Sequence, residues 1–283
     1  MTTGAAFAAP TAERLAAEHP EWRGWLGLLD VVAAAARDRV WRDAMPDRID
    51  GRAPALAGAT LRVERDAVQR LIEALFTASG VAGLQRAATR TNALELLSAS
   101  IDLDAARFSS LAEAAGAPAS AFAAVAPLVA VPWLQACGER RRNAAAAADT
   151  AWCPVCGAWA ALAEARGLER ERRLRCTRCG ADWRTSWLAC PFCENDDHTQ
   201  LASLVAPEVG DVRKVDACNV CRGYVKTVTT LAAADAGSVR LLDLATVDLD
   251  VAAVERGYGR PPGLGHVLDV SVVERRGGRR FWR

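Results

Sequence analysis

The chain has little of what marks most enzymes and nucleic-acid binders. It has three histidines in 283 residues, and 35 basic against 34 acidic side chains leave a formal net charge of +1. That balance argues against a generic nucleic-acid coat and against a highly charged disordered tail. No long basic helix and no lysine-rich groove is apparent, which weighs further against nucleic acid. There is no glycine-rich phosphate loop, no His-Glu-x-x-His pair and no cysteine–histidine nucleophile pattern. An enzyme is therefore not expected. His19, His198 and His266 stand in loop-like contexts. The first ten residues lack a basic leader region, and Glu13, Glu18 and Glu21 follow, so no secretory signal is expected and the chain reads as cytoplasmic.

Long apolar runs are also scarce. The one candidate, Ala115–Gly138, is uncharged but alanine-rich and interrupted by Pro118, Pro127 and Pro132. It reads as a buried helix or helical hairpin, with no stable membrane insertion.

What the sequence does have is cysteine in a fixed pattern. Eight of the nine cysteines form four Cys-x-x-Cys pairs in the C-terminal half: Cys153 and Cys156, Cys176 and Cys179, Cys190 and Cys193, Cys218 and Cys221. Two thiolates at this spacing reach one metal ion, and two pairs make a tetrahedral four-sulfur site. Two such sites are predicted, pairing the knuckles in sequence. The alternative joins the two middle pairs and leaves the outer ones to close around them. A disulfide framework or a single redox dithiol fits four pairs poorly. Zn²⁺ and a single Fe ion suit a closed four-sulfur site equally well. No open position is left for water or substrate. His198, five residues past Cys193, would be a surplus ligand. Cys137, beside Trp133 and Leu134, reads as a small buried hydrophobe.

Gly157 and Gly180 directly follow the second cysteine of their knuckles, a position that commonly needs φ > 0. Pro154 and Pro191 stiffen the turn between ligands. The metal is expected to contribute folding energy directly, since such small units lack a core of their own.

The fold class predicted is α+β and multidomain: an all-helical domain over 1–150, a first rubredoxin-like or zinc-ribbon metal domain over 151–187, a second over 188–260, and a poorly packed tail over 261–283. Helices are expected at Thr11–Glu18, Trp22–Trp41, Arg62–Phe76, Val81–Leu97, Asp102–Ala115 and Pro118–Gly138, several with apolar stripes at helical spacing. Strand-like pieces are expected at Leu174-Arg175, Asp182–Leu188, Gln200–Val205, Tyr224–Thr230 and Leu241–Leu249, with a last helix over Leu249–Arg256.

Between Cys137 and Arg184 ten arginines face six acidic residues. They offset the negative charge of a four-thiolate centre or form a docking surface. Trp152, Trp159, Trp183 and Trp187 concentrate in the same region. Asp182, Trp183 and Trp187 are the candidates for partner contact, because tryptophan and arginine anchor interfaces.

The region resembles the FdhE family, the accessory proteins of formate dehydrogenase. The resemblance rests on Cys153-Pro-Val-Cys156-Gly157, on Leu174-Arg-Cys176-Thr-Arg-Cys179 with Asp182-Trp183, on Cys190-Pro-Phe-Cys193-Glu194, and on Cys218-Asn-Val-Cys221 leading into Tyr224-Val-Lys226. The Asp243–Leu249 segment and Glu255-Arg-Gly-Tyr258 extend it. It implies a helical domain followed by two rubredoxin-like metal domains. It also implies a cytoplasmic protein that binds the catalytic subunit of formate dehydrogenase and is needed for its assembly or activation. A rubredoxin-like electron carrier and a zinc-ribbon nucleic-acid binder are the alternatives, and a homo-oligomer is compatible with all three.

Overall fold

The computed structural model describes residues 6–46, 53–141, 150–205 and 210–275. The alanine run 144–148, expected to end the helical half, lies outside them, as does the segment after 275. The chain divides into two compact units.

The helical unit comprises the described residues of 21–49, 56–137 and 268–283. Helix α2 (Arg23–Ala36) buries Leu26, Leu28, Leu29 and Val32 on one stripe. Asp38 accepts a hydrogen bond from the Val40 N–H and starts a separate short helix, α3 (Arg39–Asp43), where one continuous helix was expected. Helix α4 (Arg65–Ala78) buries Val68, Leu71, Ile72, Leu75 and Phe76, the stripe anticipated from spacing. The expected Val81–Leu97 helix is two. After α5 (Ala82–Ala87), Asn92 accepts from the Glu95 N–H and begins α6 (Ala93–Asp102). Asp104 likewise caps α7 (Ala105–Ala115), which ends on Gly116 at φ 63°. Helices α8 (Ala119–Val125) and α9 (Val131–Arg141) follow.

The apolar Ala119–Arg141 stretch is long and apolar enough to cross a membrane by length and composition, and 78% of its most apolar window is buried inside the protein. Trp133 is fully buried and donates its indole N–H to the Ala44 carbonyl at 3.3 Å. Cys137 is also fully buried.

The 261–283 segment was expected as a tail. Its Leu268 is instead fully buried, and Ser271–Glu274 forms strand β8, parallel to β1 (Thr60–Val63). Neither strand was read from sequence, because each is only four residues long.

The sheet unit comprises the described residues of 1–20, 50–55 and 138–267. Residues 6–20, with α1 (Ala12–Glu18), belong here and not with the helical half, and Phe7 donates its N–H to Thr229 O at 2.7 Å. Six strands form one sheet: β2 (Leu162–Arg166), β3 (Glu171–Arg175), β4 (Asp182–Arg184), β5 (Leu201–Val205), β6 (Arg213–Cys218) and β7 (Tyr224–Thr230). Their order is β4-β3-β2-β7-β6-β5. All neighbours are antiparallel except β2 and β7, which run parallel with Leu162 opposite Lys226 and Arg166 opposite Thr230. Strands β2 to β4 belong with the first pair of knuckles and β5 to β7 with the second, so both share one sheet.

One sheet face carries Leu162, Val215, Ala217, Tyr224 and Val228, packed by Leu242, Leu249 and Ala253. Those last three come from α10 (Ser238–Leu244) and α11 (Val247–Glu255). The strand expected at Leu241–Leu249 is therefore helical. Val239 and Leu242, then Leu249 and Ala253, are buried at three- and four-residue spacing. Alternation along the strands puts Arg172, Lys214, Asp216 and Thr227 on the opposite face.

Candidate metal centres

All four knuckles close in the same way. The N–H of each first cysteine donates to the carbonyl five residues on: Cys153 to Ala158 (2.7 Å), Cys176 to Ala181 (3.0 Å), Cys190 to Asn195 (2.8 Å) and Cys218 to Gly223 (2.9 Å). The residue after each second cysteine takes φ > 0. At the first centre these are the expected glycines, Gly157 at 66° and Gly180 at 75°. At the second they are Glu194 at 59° and Arg222 at 60°, which the sequence reading passed over. A left-handed conformation costs a non-glycine residue about 1 kcal/mol. Arg222 is held there by its side chain, which donates to Arg256 O at 2.6 Å and lies 4.1 Å over the Tyr258 ring. Glu194 is exposed with no such tie among the described contacts. Glu194→Gly is therefore expected to raise stability by up to about 1 kcal/mol with metal content unchanged, as read from urea midpoints and metal analysis.

The eight thiols gather into two groups, Cys153, Cys156, Cys176 and Cys179, and Cys190, Cys193, Cys218 and Cys221, each with all sulfurs within 4.8 Å of one another. The knuckles thus pair sequentially. In the first group Cys153 Sγ lies 3.4 Å from Cys179 Sγ, and Cys156 Sγ 3.5 Å from Cys176 Sγ. In the second, Cys190 Sγ is 3.6 Å from Cys221 Sγ and Cys193 Sγ 3.8 Å from Cys218 Sγ. A tetrahedral ion with metal–sulfur bonds of about 2.3 Å needs sulfurs about 3.8 Å apart, so both groups fit. The donor chemistry fits as well, because burial pushes the Cys153 and Cys179 thiols up as free acids. Only a bound cation makes four thiolates acceptable there. Backbone N–H groups also point at sulfur, from Phe192 to Cys190 Sγ (3.4 Å) and from Gly223 to Cys221 Sγ (3.3 Å).

The two centres differ in exposure. All four ligands of the first are buried, whereas Cys193 and Cys221 of the second reach solvent. A close approach shields the first. A Cβ on Gly138 would stand 2.1 Å from the Cys179 carbonyl oxygen, well inside contact distance. Gly138→Ala must push the knuckle and the helix apart, and a loss of about 1–3 kcal/mol with weaker retention of the first metal is expected in a chelator challenge.

The arginines around the centres are mostly committed to partners. Glu164 is fully buried and receives Arg175 at 2.5 Å as well as Arg166. Asp182 receives Arg166 at 3.0 Å and Arg173 at 2.8 Å. Its burial alone would raise its carboxyl pKa, but these arginines outweigh that and hold it below the usual range. Arg240 is pushed down to about 10, first by burial, and donates to Arg178 O at 2.9 Å.

Of the three partner-contact candidates, Trp183 is 1% exposed and spends its indole N–H on Thr150 O at 3.0 Å. It offers a partner no face, because β4 turns its ring inward. Asp182 is half-covered by its arginines. Trp187 stays 38% exposed, with Arg172 and Lys214 set 5.3 and 5.1 Å from the centre of its ring. His198 lies outside both thiol groups.

A second constellation was not anticipated. Lys226 is fully buried in β7, and its ammonium meets Asp243 O at 2.6 Å, Asp250 Oδ2 at 2.7 Å and Asp243 Oδ1 at 2.8 Å. Arg260 bridges the same two carboxylates at 2.9 and 2.7 Å, and Tyr224 donates to Asp250 at 2.7 Å. Burial and the Asp250 hydrogen bond push the Tyr224 phenol up to about 12. Several of these residues lie in segments that carry the family resemblance, and the network shows what they do: they fasten α10 and α11 to the sheet.

Comparison with known proteins agrees with this architecture. No family model matches the chain. A stretch of 115 residues is 34% identical to the Protein FdhE homolog of Stutzerimonas stutzeri (strain A1501), covering 40% of this chain and 37% of that protein. That stretch of the chain is similar in sequence to FdhE. A stretch of 114 residues is 31% identical to the Protein FdhE homolog of Aquifex aeolicus (strain VF5), covering 38% of each. The chain therefore spans less than two-fifths of the length of the curated FdhE relatives it matches. The crystal structure of the FdhE protein from Pseudomonas aeruginosa superposes with a TM-score of 0.52 at 23% identity, over 92% of this chain and 98% of that one. The FdhE fold thus extends over nearly all of the chain: a helical part and a β-rich part holding two four-cysteine clusters.

Proposed function

We propose that the chain is a non-catalytic accessory protein of formate dehydrogenase, acting in the cytoplasm on the catalytic subunit during assembly or activation. The observation that carries this is the pair of closed four-cysteine centres in a chain homologous to FdhE. Each cluster supplies four sulfur ligands and leaves no vacant position for a reacting water. The ions, when bound, supply rigidity to the knuckles. The protein's own residues then do the work: the segment after β4 presents Trp187, backed by the buried Arg172 and by Lys214, on a sheet that carries both centres.

The test is formate dehydrogenase activity in cells lacking this protein, together with co-purification of the catalytic subunit on a tagged chain. Loss of activity, restored by the gene, and recovery of the subunit support the reading. Full activity without the protein and no recovered subunit would sink it.

A second reading is electron transfer, and one observation favours it. Cys193 and Cys221 bring the second centre to the surface, as an outer-sphere electron donor requires. Anaerobic purification discriminates: two Zn per chain and no colour fit a docking factor, and iron with thiolate-to-iron absorption bands supports the carrier.

A further inference from the structure

Two arginines from distant parts of the sheet unit grip the same place at the two centres. Arg172 of β3 is 3% exposed and donates Nη1 to the carbonyls of Ser186 and Ala189 at 2.8 and 3.2 Å. Ala189 directly precedes Cys190, whose own N–H goes to Asn195 O at 2.8 Å. Both sides of the Ala189–Cys190 peptide are therefore pinned, which fixes the direction in which that ligand leaves the backbone. Arg240 of α10 donates Nη2 to the carbonyl of Arg178 at 2.9 Å, and Arg178 directly precedes Cys179. The approach is tight there: a Cβ on Gly180 would stand 2.2 Å from the Ala236 Cβ, just ahead of α10.

The charges agree with the contacts. Four thiolates around one divalent ion leave two negative charges, and a cation beside them offsets part of that excess. Burial lowers the pKa of both guanidinium groups. Asp216 and the Cys190 thiolate act against it at Arg172, and the Cys176 and Cys179 thiolates at Arg240. Arg172 also has the Asp216 carboxylate at 3.7 Å. Among the described residues no carboxylate pairs with Arg240, and the two thiolates are the anions that act on it.

The supply is crosswise. Strand β3 leads into Cys176 of the first centre, yet its Arg172 serves the second. Helix α10 follows the second centre in the chain, yet its Arg240 serves the first. We infer that these two arginines are positioning residues for the metal ions: Arg172 orients Cys190 and offsets thiolate charge at the second centre, and Arg240 orients Cys179 and does the same at the first. Partners that orient metal ligands from outside are commonly worth about 10–100-fold in metal affinity. The inference rests on the four-cysteine sites alone and not on the choice of client.

The test loads full-length protein anaerobically with Co²⁺, whose thiolate absorption reports each four-sulfur site, and follows its loss to excess chelator. Release is expected in two phases, and Cys193→Ala identifies the faster one as the second centre by removing it. Arg172→Met is expected to speed the fast phase about 10–100-fold and to change the slow phase by less than about twofold; Arg240→Met should do the reverse. Each methionine variant should also move the thiolate-to-cobalt band of its own site to longer wavelength, because no cation then steadies the sulfur electrons. Arg172→Lys and Arg240→Lys keep the charge and lose the forked donor. They are expected to hold the band in place while release still quickens. Both phases accelerating together in either methionine variant would mean general loosening of the sheet unit and overturns the inference. Unchanged release in both methionine variants overturns it as well. If a methionine variant fails to fold, its lysine counterpart decides, and no acceleration of its own phase counts against the inference.

Discussion

Replacing Cys176 with alanine is expected to empty the first centre and lower stability of the sheet unit by about 5 kcal/mol or more. Structural zinc contributes folding free energy outright, and loss of a metal is among the few single changes that reach this size. The geometry makes the first centre the worse place to lose it. Its four sulfurs are buried, and removing one leaves three buried thiols without the fourth ligand that completes the site, with Gly138 set closely against the Cys179 carbonyl. Cys193→Ala is expected to cost clearly less. Cys193 is exposed, water can reach the position, and the cluster of Val215, Ala217, Tyr224, Leu249 and Ala253 holds β6 and β7 without it. Metal content should fall from two to one in each variant, while urea unfolding separates them. A chelator should strip the second centre first for the same reason. Equal losses from Cys176→Ala and Cys193→Ala would refute the distinction between a buried and an exposed centre.

Lys226→Met is expected to destabilise by about 3–5 kcal/mol, the cost of breaking a buried charge pair from one side. The ammonium satisfies two carboxylates and a main-chain carbonyl at once, and methionine leaves Asp243 and Asp250 with Arg260 as their one remaining cation among the described contacts, Tyr224 still donating to Asp250. Adding Asp243→Asn restores charge balance and should recover part of the loss. The pH dependence follows from the sign of the shift. Burial raises the Asp243 pKa, but the Arg260 and Lys226 charges outweigh it and hold the carboxyl below its usual range. A depressed carboxyl stabilises the fold above its unfolded value of about 4 and loses that contribution as pH falls through the lower folded value. The gap between wild type and Lys226→Met, measured by urea midpoints, should therefore be constant near neutrality and narrow below about pH 4. A gap that widens in acid would mean that another group titrates.

The metal ligands were legible because a Cys-x-x-Cys knuckle is a local object: four residues contain its geometry and need nothing distant. The same holds for Gly157 and Gly180. Glu194 and Arg222 take the same backbone turn without the residue that announces it. Strand β2 was invisible for the opposite reason. Leu162-Ala-Glu-Ala-Arg166 has the composition of a helix, and only β3 on one side and β7 on the other make it a strand. Composition located the tryptophans but not their exposure, so Trp183 stood beside Trp187 as a candidate for partner contact although β4 turns it inward. The Lys226 network was hidden because its members, though some fall in segments that carry the resemblance, come from a strand, two helices and a loop whose packing no spacing rule encodes.

The parallel pairing of β2 with β7 also sets an order of events at the ribosome. Cys153 to Cys179 and strands β2 to β4 emerge first, yet one long edge of β2 has nothing to pair with until Tyr224–Thr230 has been made. During that interval the nascent chain exposes an unsatisfied strand edge, the feature that promotes association with other chains. Metal capture by the first two knuckles fixes the turns that flank β2 and β3 before β7 exists, so expression in metal-depleted medium is expected to lower the soluble fraction of the protein as well as the stability of the finished fold.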